Sequence, residues 1–186
     1  MKLTIIRHCK VDHTWKEKCT SKEFDEECAL YDKAPIVEMS GAERPDNAGA
    51  AEKIYISALP RTYQTAEVLF GKRDFCKTEL INEVPLRSAF DAKKAYPLWF
   101  WNIAGRLQWM FNCKRQPETK RKTCERAEKF AKELAECKGD CIIVTHGFFM
   151  HTLIKTLKKR GFAAGSTSLH YKNNEAVVLN KLGYHM

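Results

Sequence analysis

The chain has 186 residues, 44% of them apolar and 30% charged, with a formal net charge of +9. This suits one globular domain with a sizeable core, and no apolar run reaches the roughly 18 residues that a membrane-spanning helix needs. The opening Met1-Lys2-Leu3-Thr4-Ile5-Ile6-Arg7-His8 meets two basic side chains too early for a secretory signal, so a cytoplasmic protein with no membrane partner is expected.

Residues 2–6 form a short apolar run that turns abruptly polar, the pattern of a buried strand. Thr20 and Glu23 have the spacing of a capping box and open a short helix reaching about Tyr31. Across 32–51 the breakers Pro35, Gly41, Pro45 and Gly49 predict a loop. Residues 53–57 read as a second strand. Pro60 suits the first turn of a helix, where its missing N–H would lack a partner anyway, and that helix stops near Gly71. Residues 78–82 read as a third strand. The segment 96–111 is dense in aromatics and is predicted helical. Residues 121–137 carry small or apolar side chains at 124, 127, 130, 131, 134 and 135, a helical rhythm. Cys141–Thr145 is the strongest strand pattern in the chain. Residues 147–160 make a helix with Phe149, Met150, Leu153, Ile154 and Leu157 on one face, and 175–179 supply a last strand.

No repeat or linker divides the chain, so 1–186 reads as one domain with an aromatic-rich helical insertion at about 92–137. Strands alternating with helices indicate an α/β sandwich with a mostly parallel sheet. For Trp99, Phe100, Trp101, Trp109 and Phe111 core packing is the default, with a lid over a substrate as the alternative. The eight cysteines include no Cys-x-x-Cys pair. Cys137 and Cys141, with His146 and His151, come nearest to a ligand cluster, yet reduced and mostly buried thiols are the expectation, with no metal and no cofactor. Residues 114–132 hold eight basic and three acidic side chains, and Lys155, Lys158, Lys159 and Arg160 add to the positive field. Such a field attracts anions, whether a phosphorylated substrate or nucleic acid, and otherwise marks a solvated helix face. No nucleic-acid motif accompanies it, so nucleic acid is not the expected partner.

In open α/β sheets, ligands bind beyond the carboxyl ends of the strands. After the predicted strands come Arg7 and His8, then Ser57 and Arg61, then Glu83, then His146 and Gly147. Two arginines and two histidines suffice to surround a dianion, and one carboxyl group can move a proton, which is the equipment phosphoryl transfer requires.

The ordered set resembles the histidine phosphatase superfamily, the phosphoglycerate mutase-like group. Ile5-Ile6-Arg7-His8 is similar to its Arg-His-Gly signature. Ser57 to Arg61 with Thr65-Ala66-Glu67 resembles the helix start carrying a second arginine. Ile81-Asn82-Glu83 resembles the segment of the acid, and Val144-Thr145-His146-Gly147 the second histidine motif. The resemblance implies a three-layer, phosphoglycerate mutase-like sandwich and a metal-independent phosphomonoesterase of the small phosphatase branch. It departs at Cys9, where the family has glycine, and in 46–51, where the glycine-containing helix motif is unrecognisable.

On this resemblance His8 is the nucleophile, one ring nitrogen attacking phosphorus while a backbone carbonyl holds the other. Arg7, Arg61 and His146 bind the phosphoryl oxygens, and Glu83 exchanges the proton, with Glu79 as the neighbouring alternative acid. Cys9 is the alternative nucleophile. His13, His151, His170 and His185 are assigned no chemistry. The expected ligand is a small phosphorylated molecule. A hydrolase is favoured over a mutase by the chain's shortness, and a catalytically silent relative that binds phosphorylated ligands is the alternative.

Overall fold

The computed structural model describes residues 1–37, 45, 49–165, 168 and 170–182. Residues 38–44 and 46–48 of the expected 32–51 loop, and His185, lie outside them. The strands are β1 (Lys2–Arg7), β2 (Lys18–Cys19), β3 (Lys53–Ile56), β4 (Cys76–Lys77), β5 (Tyr96–Pro97), β6 (Cys141–Thr145), β7 (Phe162–Ala164) and β8 (Ala176–Lys181). The helices are α1 (Ser21–Lys33), α2 (Pro60–Phe70), α3 (Leu98–Met110), α4 (Lys120–Ala135) and α5 (Gly147–Lys159).

Six strands form one sheet in the order β4-β3-β6-β1-β8-β7. The four from β4 to β1 are parallel, β8 runs antiparallel to β1, and β7 is antiparallel to β8. Side chains alternate across a strand, and the two faces are covered by different helices. Leu3, Ile5, Cys141 and Ile143 pack against α4 and α5 through Phe130, Leu134, Phe149 and Leu153. Ile6, Ile54, Ile56, Ile142 and Val144 pack against Ala66 and Leu69 of α2. The result is the expected three-layer α/β sandwich. β6 lies in its middle and is buried on both faces, which explains its unbroken apolar run.

A third cluster joins α1 to α3. Trp101 is buried against Phe24, their rings stacked 5.8 Å apart, and its Nε1–H donates to the Cys19 carbonyl (2.9 Å). Trp101 therefore follows the core expectation, whereas Trp99 and Phe111 are exposed. Trp109 donates to the Thr123 hydroxyl (2.9 Å) and so ties α3 to α4.

Two expected elements differ. Residues 78–82 form no strand: the edge strand is Cys76–Lys77, and Glu79–Ile81 is a 3-10 turn. The Thr78 hydroxyl accepts from the Leu80 N–H (3.2 Å) and folds the chain into that turn. The 96–111 segment begins with β5, which pairs with β2, before α3 starts at Leu98. The capping box at Thr20 and Glu23 opens α1 as expected.

Candidate active site

β1 and β6 run side by side with Arg7 opposite Thr145. The next residues, His8 and His146, therefore leave the sheet together, ring centroids 5.0 Å apart at 58°. β3 adjoins β6 on its other side, and the chain leaving it turns into α2, which brings Arg61 to the same place. The Arg61 Nε–H donates to His146 Nδ1 (3.2 Å). Both imidazoles and this guanidinium are buried.

The His8 Nδ1 lies 2.7 Å from the Cys9 carbonyl oxygen. A carbonyl only accepts, so Nδ1 carries the hydrogen and Nε2 keeps its lone pair. Nε2 has no partner among the described residues. Burial and the nearby Arg61 guanidinium, with a smaller push from Arg7, lower the His8 pKa to about 3, against the opposing hydrogen bond to Cys9.

The tautomer of His146 follows in the same way. Its Nδ1 accepts from Arg61, so Nε2 holds the hydrogen and donates to Ser57 Oγ (2.8 Å). Ser57 also accepts from the Leu59 N–H (3.1 Å) and passes its own hydrogen to Thr62 Oγ1 (2.9 Å). Burial, then His8 and Arg61, hold the His146 pKa well below its ordinary value.

Arg7 Nη1 donates to the Tyr171 carbonyl, while its buried Nε finds no acceptor among the described residues. Gly147 makes room for this guanidinium, because a Cβ there would lie 3.0 Å from Arg7 Nε. A buried donor without an acceptor is costly, and an anion beside it would remove that cost.

Arg61 Nη1 donates to Asp32 Oδ1 (3.1 Å), and its guanidinium lies 4.9 Å from the Tyr31 ring centroid. Both partners come from the end of α1, a contact that no sequence signal announces. At Cys9, the family's glycine position, the N–H donates to Thr65 Oγ1 (2.9 Å). Burial raises the Cys9 thiol pKa, which keeps it protonated and weakens it as a nucleophile.

The carboxyl group of Glu83 sits at the start of α5. Oε1 accepts from the Val84 N–H (2.9 Å) and the Phe149 N–H (3.0 Å), and Oε2 from the Phe148 N–H (3.3 Å). His146 offers α5 no side-chain cap, so Glu83 satisfies amides that the helix leaves free. A cleft of about 670 Å³ opens beside Arg61 and Glu83, with Trp15, Tyr31, Asp32 and Arg106 also on its walls. Glu79, the other acid considered, lines it too. Arg106 escaped the sequence reading: it donates to the Val84 carbonyl (3.0 Å) and lies 3.7 Å from the Phe148 ring centroid. His13 pairs instead with Glu27 (3.0 Å), and His151 lies against Tyr171. Cys137 contacts the Tyr55 hydroxyl (3.3 Å), so it and His146 are engaged separately.

A model of the histidine phosphatase superfamily (branch 1) matches residues 41–183. None of the curated proteins matches the chain. Among solved structures, the chain is similar to a Mycobacterium tuberculosis open reading frame product (TM-score 0.59, 15% identity, 95% of this chain and 89% of that one). It is similar to mycobacterial glucosyl-3-phosphoglycerate phosphatase complexed with VO3 (0.57, 17% identity, 96% and 92%). It is also similar to a mutant phosphoserine phosphatase from Entamoeba histolytica bound to phosphoserine (0.55, 15% identity, 95% and 89%). At these identities the likeness is one of fold.

Proposed function

Because this chain belongs to the histidine phosphatase superfamily, we propose that it hydrolyses small phosphomonoesters through a phosphohistidine on His8, without a metal ion. The observation that carries the reading is the state of His8: a buried, neutral imidazole with Nδ1–H tied to the Cys9 carbonyl and the Nε2 lone pair unused. Nε2 attacks phosphorus as the ester P–O bond breaks. The Nδ1–H bond to Cys9 then stabilises the positive charge that builds on the ring. Arg7, through its unpaired Nε, and Arg61 bind the phosphoryl oxygens and supply the positive charge that a metal ion provides in other phosphatases. His146, whose Nδ1 accepts from Arg61 and whose Nε2–H is given to Ser57, holds Arg61 in place rather than binding a phosphoryl oxygen itself, with its ring against His8.

Glu83 completes the cycle. Oε2, with only the longer Phe148 contact, has room for the proton that passes to the leaving alkoxide. The resulting carboxylate takes a proton from water as that water attacks the phosphohistidine, returning neutral His8 and inorganic phosphate. This reading puts the enzyme in the cytoplasm, where reducing conditions keep thiols such as those of buried Cys9, Cys19, Cys137 and Cys141 free. Relatives of the same fold act on phosphoserine and glucosyl-3-phosphoglycerate by their names, which supports a small phosphorylated molecule as substrate.

The test is release of phosphate from para-nitrophenyl phosphate in excess EDTA, with acid quenching to trap labelled phosphohistidine. Turnover with a trapped phosphoenzyme, both absent in His8→Ala, is the expected result. Full turnover in His8→Ala ends the mechanism. A folded parent protein that binds phosphate yet never turns over would make it a silent binding relative.

A further inference from the structure

The outer face of α3 carries a run of large apolar side chains that nothing described covers. Trp99 is 63% exposed, Ile103 55%, Leu107 48% and Phe111, just past the helix end, 76%. The spacing of four places them in one stripe along the helix, and partly exposed Met110 extends it. The opposite face of the same helix is already used, with Trp101 and Gly105 buried, and Asn102 and Arg106, on the flank adjoining the stripe, line the cleft. Isolated exposed apolar residues are ordinary, but a contiguous patch marks a contact surface.

The charge around the stripe says what it contacts. Lys93 and Lys94 precede it, with Lys94 Nζ 5.9 Å from the Tyr96 ring centroid. At the other end the Arg121 N–H donates to Asn112 Oδ1 (2.9 Å). That bond brings the first turn of α4, with Lys120, Arg121 and Lys122, against the residue that follows Phe111. Lys114 adds to this end, whereas Arg115 is neutralised by Asp91 (2.6 Å) and Arg121 is paired with Glu125 (3.9 Å), which leaves Lys120, Lys122 and Lys114 as its basic rim. A second copy of the chain would bring these basic rims against each other, which is unfavourable for a protein of net charge +9. An anionic lipid surface meets both features at once, taking the apolar stripe below its headgroups and the lysines among them.

We infer that the α3 stripe is a peripheral docking surface for anionic membranes. No spanning segment is needed for this, and no helix among the described residues is long and apolar enough to be one. The cleft opens on the adjoining face of α3, so docking by the stripe leaves Arg106 and Asn102 beside the lipid headgroups.

The test is cosedimentation of the full chain with phosphatidylcholine vesicles, with and without phosphatidylserine, at low and high salt. Binding is expected to be roughly tenfold or more stronger with phosphatidylserine and to weaken in high salt. The Trp99→Ser/Phe111→Ser double variant, whose changes lie on exposed positions, should lose that binding at an unchanged melting temperature. No phosphatidylserine-dependent binding by the parent, or equal binding by the folded double variant, overturns the proposal. So does light scattering that shows a parent dimer which the double variant splits, since the stripe would then face a second copy. None of these readouts depends on hydrolysis, so the surface and the phosphatase reading stand or fall separately.

Discussion

At the carboxyl ends of β1, β3 and β6, buried polar groups are tied mostly to one another, whereas between α1 and α3 aromatic rings fill the space. His146, Arg61 and Ser57 form one hydrogen-bonded set, with the His8 ring lying against His146. Phe24, Trp101, Phe90, Tyr96 and Phe100 pack ring on ring, and the Trp101 N–H reaches only a backbone carbonyl. Burying polar groups costs free energy even when they are paired, while burying rings stabilises. The first region is thus maintained by the rest of the sheet, and the second helps to maintain the fold. Substitutions in the two should separate activity from stability.

The largest effect is expected in the aromatic layer. Trp101→Ala removes a fully buried indole and should destabilise the protein by about 3–5 kcal/mol, read as a lower midpoint in urea. Residual folded protein should turn over para-nitrophenyl phosphate at a near-parental rate. A stable Trp101→Ala protein that has lost activity would show that the layer serves the chemistry and would break the contrast. On the other side, Arg61→Lys keeps the charge but loses the planar set of donors that reaches His146 and Asp32. It should lower kcat/KM about a hundredfold while leaving the urea midpoint close to the parent's. A variant that keeps its rate would mean that Arg61 does not hold the phosphoryl group.

The same contrast governs what was legible in the sequence. β6, β1 and α5 were readable because burial on one or both faces writes itself into apolar periodicity. His8, Arg61 and His146 were readable because each follows a strand or opens a helix at a fixed offset. The 78–82 segment misled because Thr78, Leu80 and Ile81 suit a strand, and only the hydroxyl bond from Thr78 to its own chain turns it into a 3-10 helix. β2 and β5 are two residues each and pair across a long stretch of chain, leaving no local pattern. Asp32, Tyr31 and Arg106 reach the cleft from α1 and α3, whose docking depends on the whole aromatic layer. Glu83 was placed by its neighbours in the chain, but its three bonds to N–H groups, two of them in the first turn of α5, exist only in three dimensions.

The smallest effect lies in the pH dependence of stability, and it sharpens the comparison. In the unfolded chain His8 and His146 take up protons below about 6.5, whereas in the folded protein His8 stays neutral down to about 3 and His146 is likewise held low. Between these limits the unfolded state binds more protons, so stability rises with pH and falls as the solution is acidified. From pH 6.5 to 5.5 the loss should be on the order of 1 kcal/mol for each histidine, measured as urea midpoints across the range. His8→Ala should reduce that slope, because one of the two groups no longer titrates. Trp101→Ala should lower the whole curve without changing its slope in this window, since the layer it disrupts contains neither imidazole. If His8→Ala keeps the full slope, His8 takes up a proton in the folded protein as readily as in the unfolded chain, and burial does not hold its imidazole neutral.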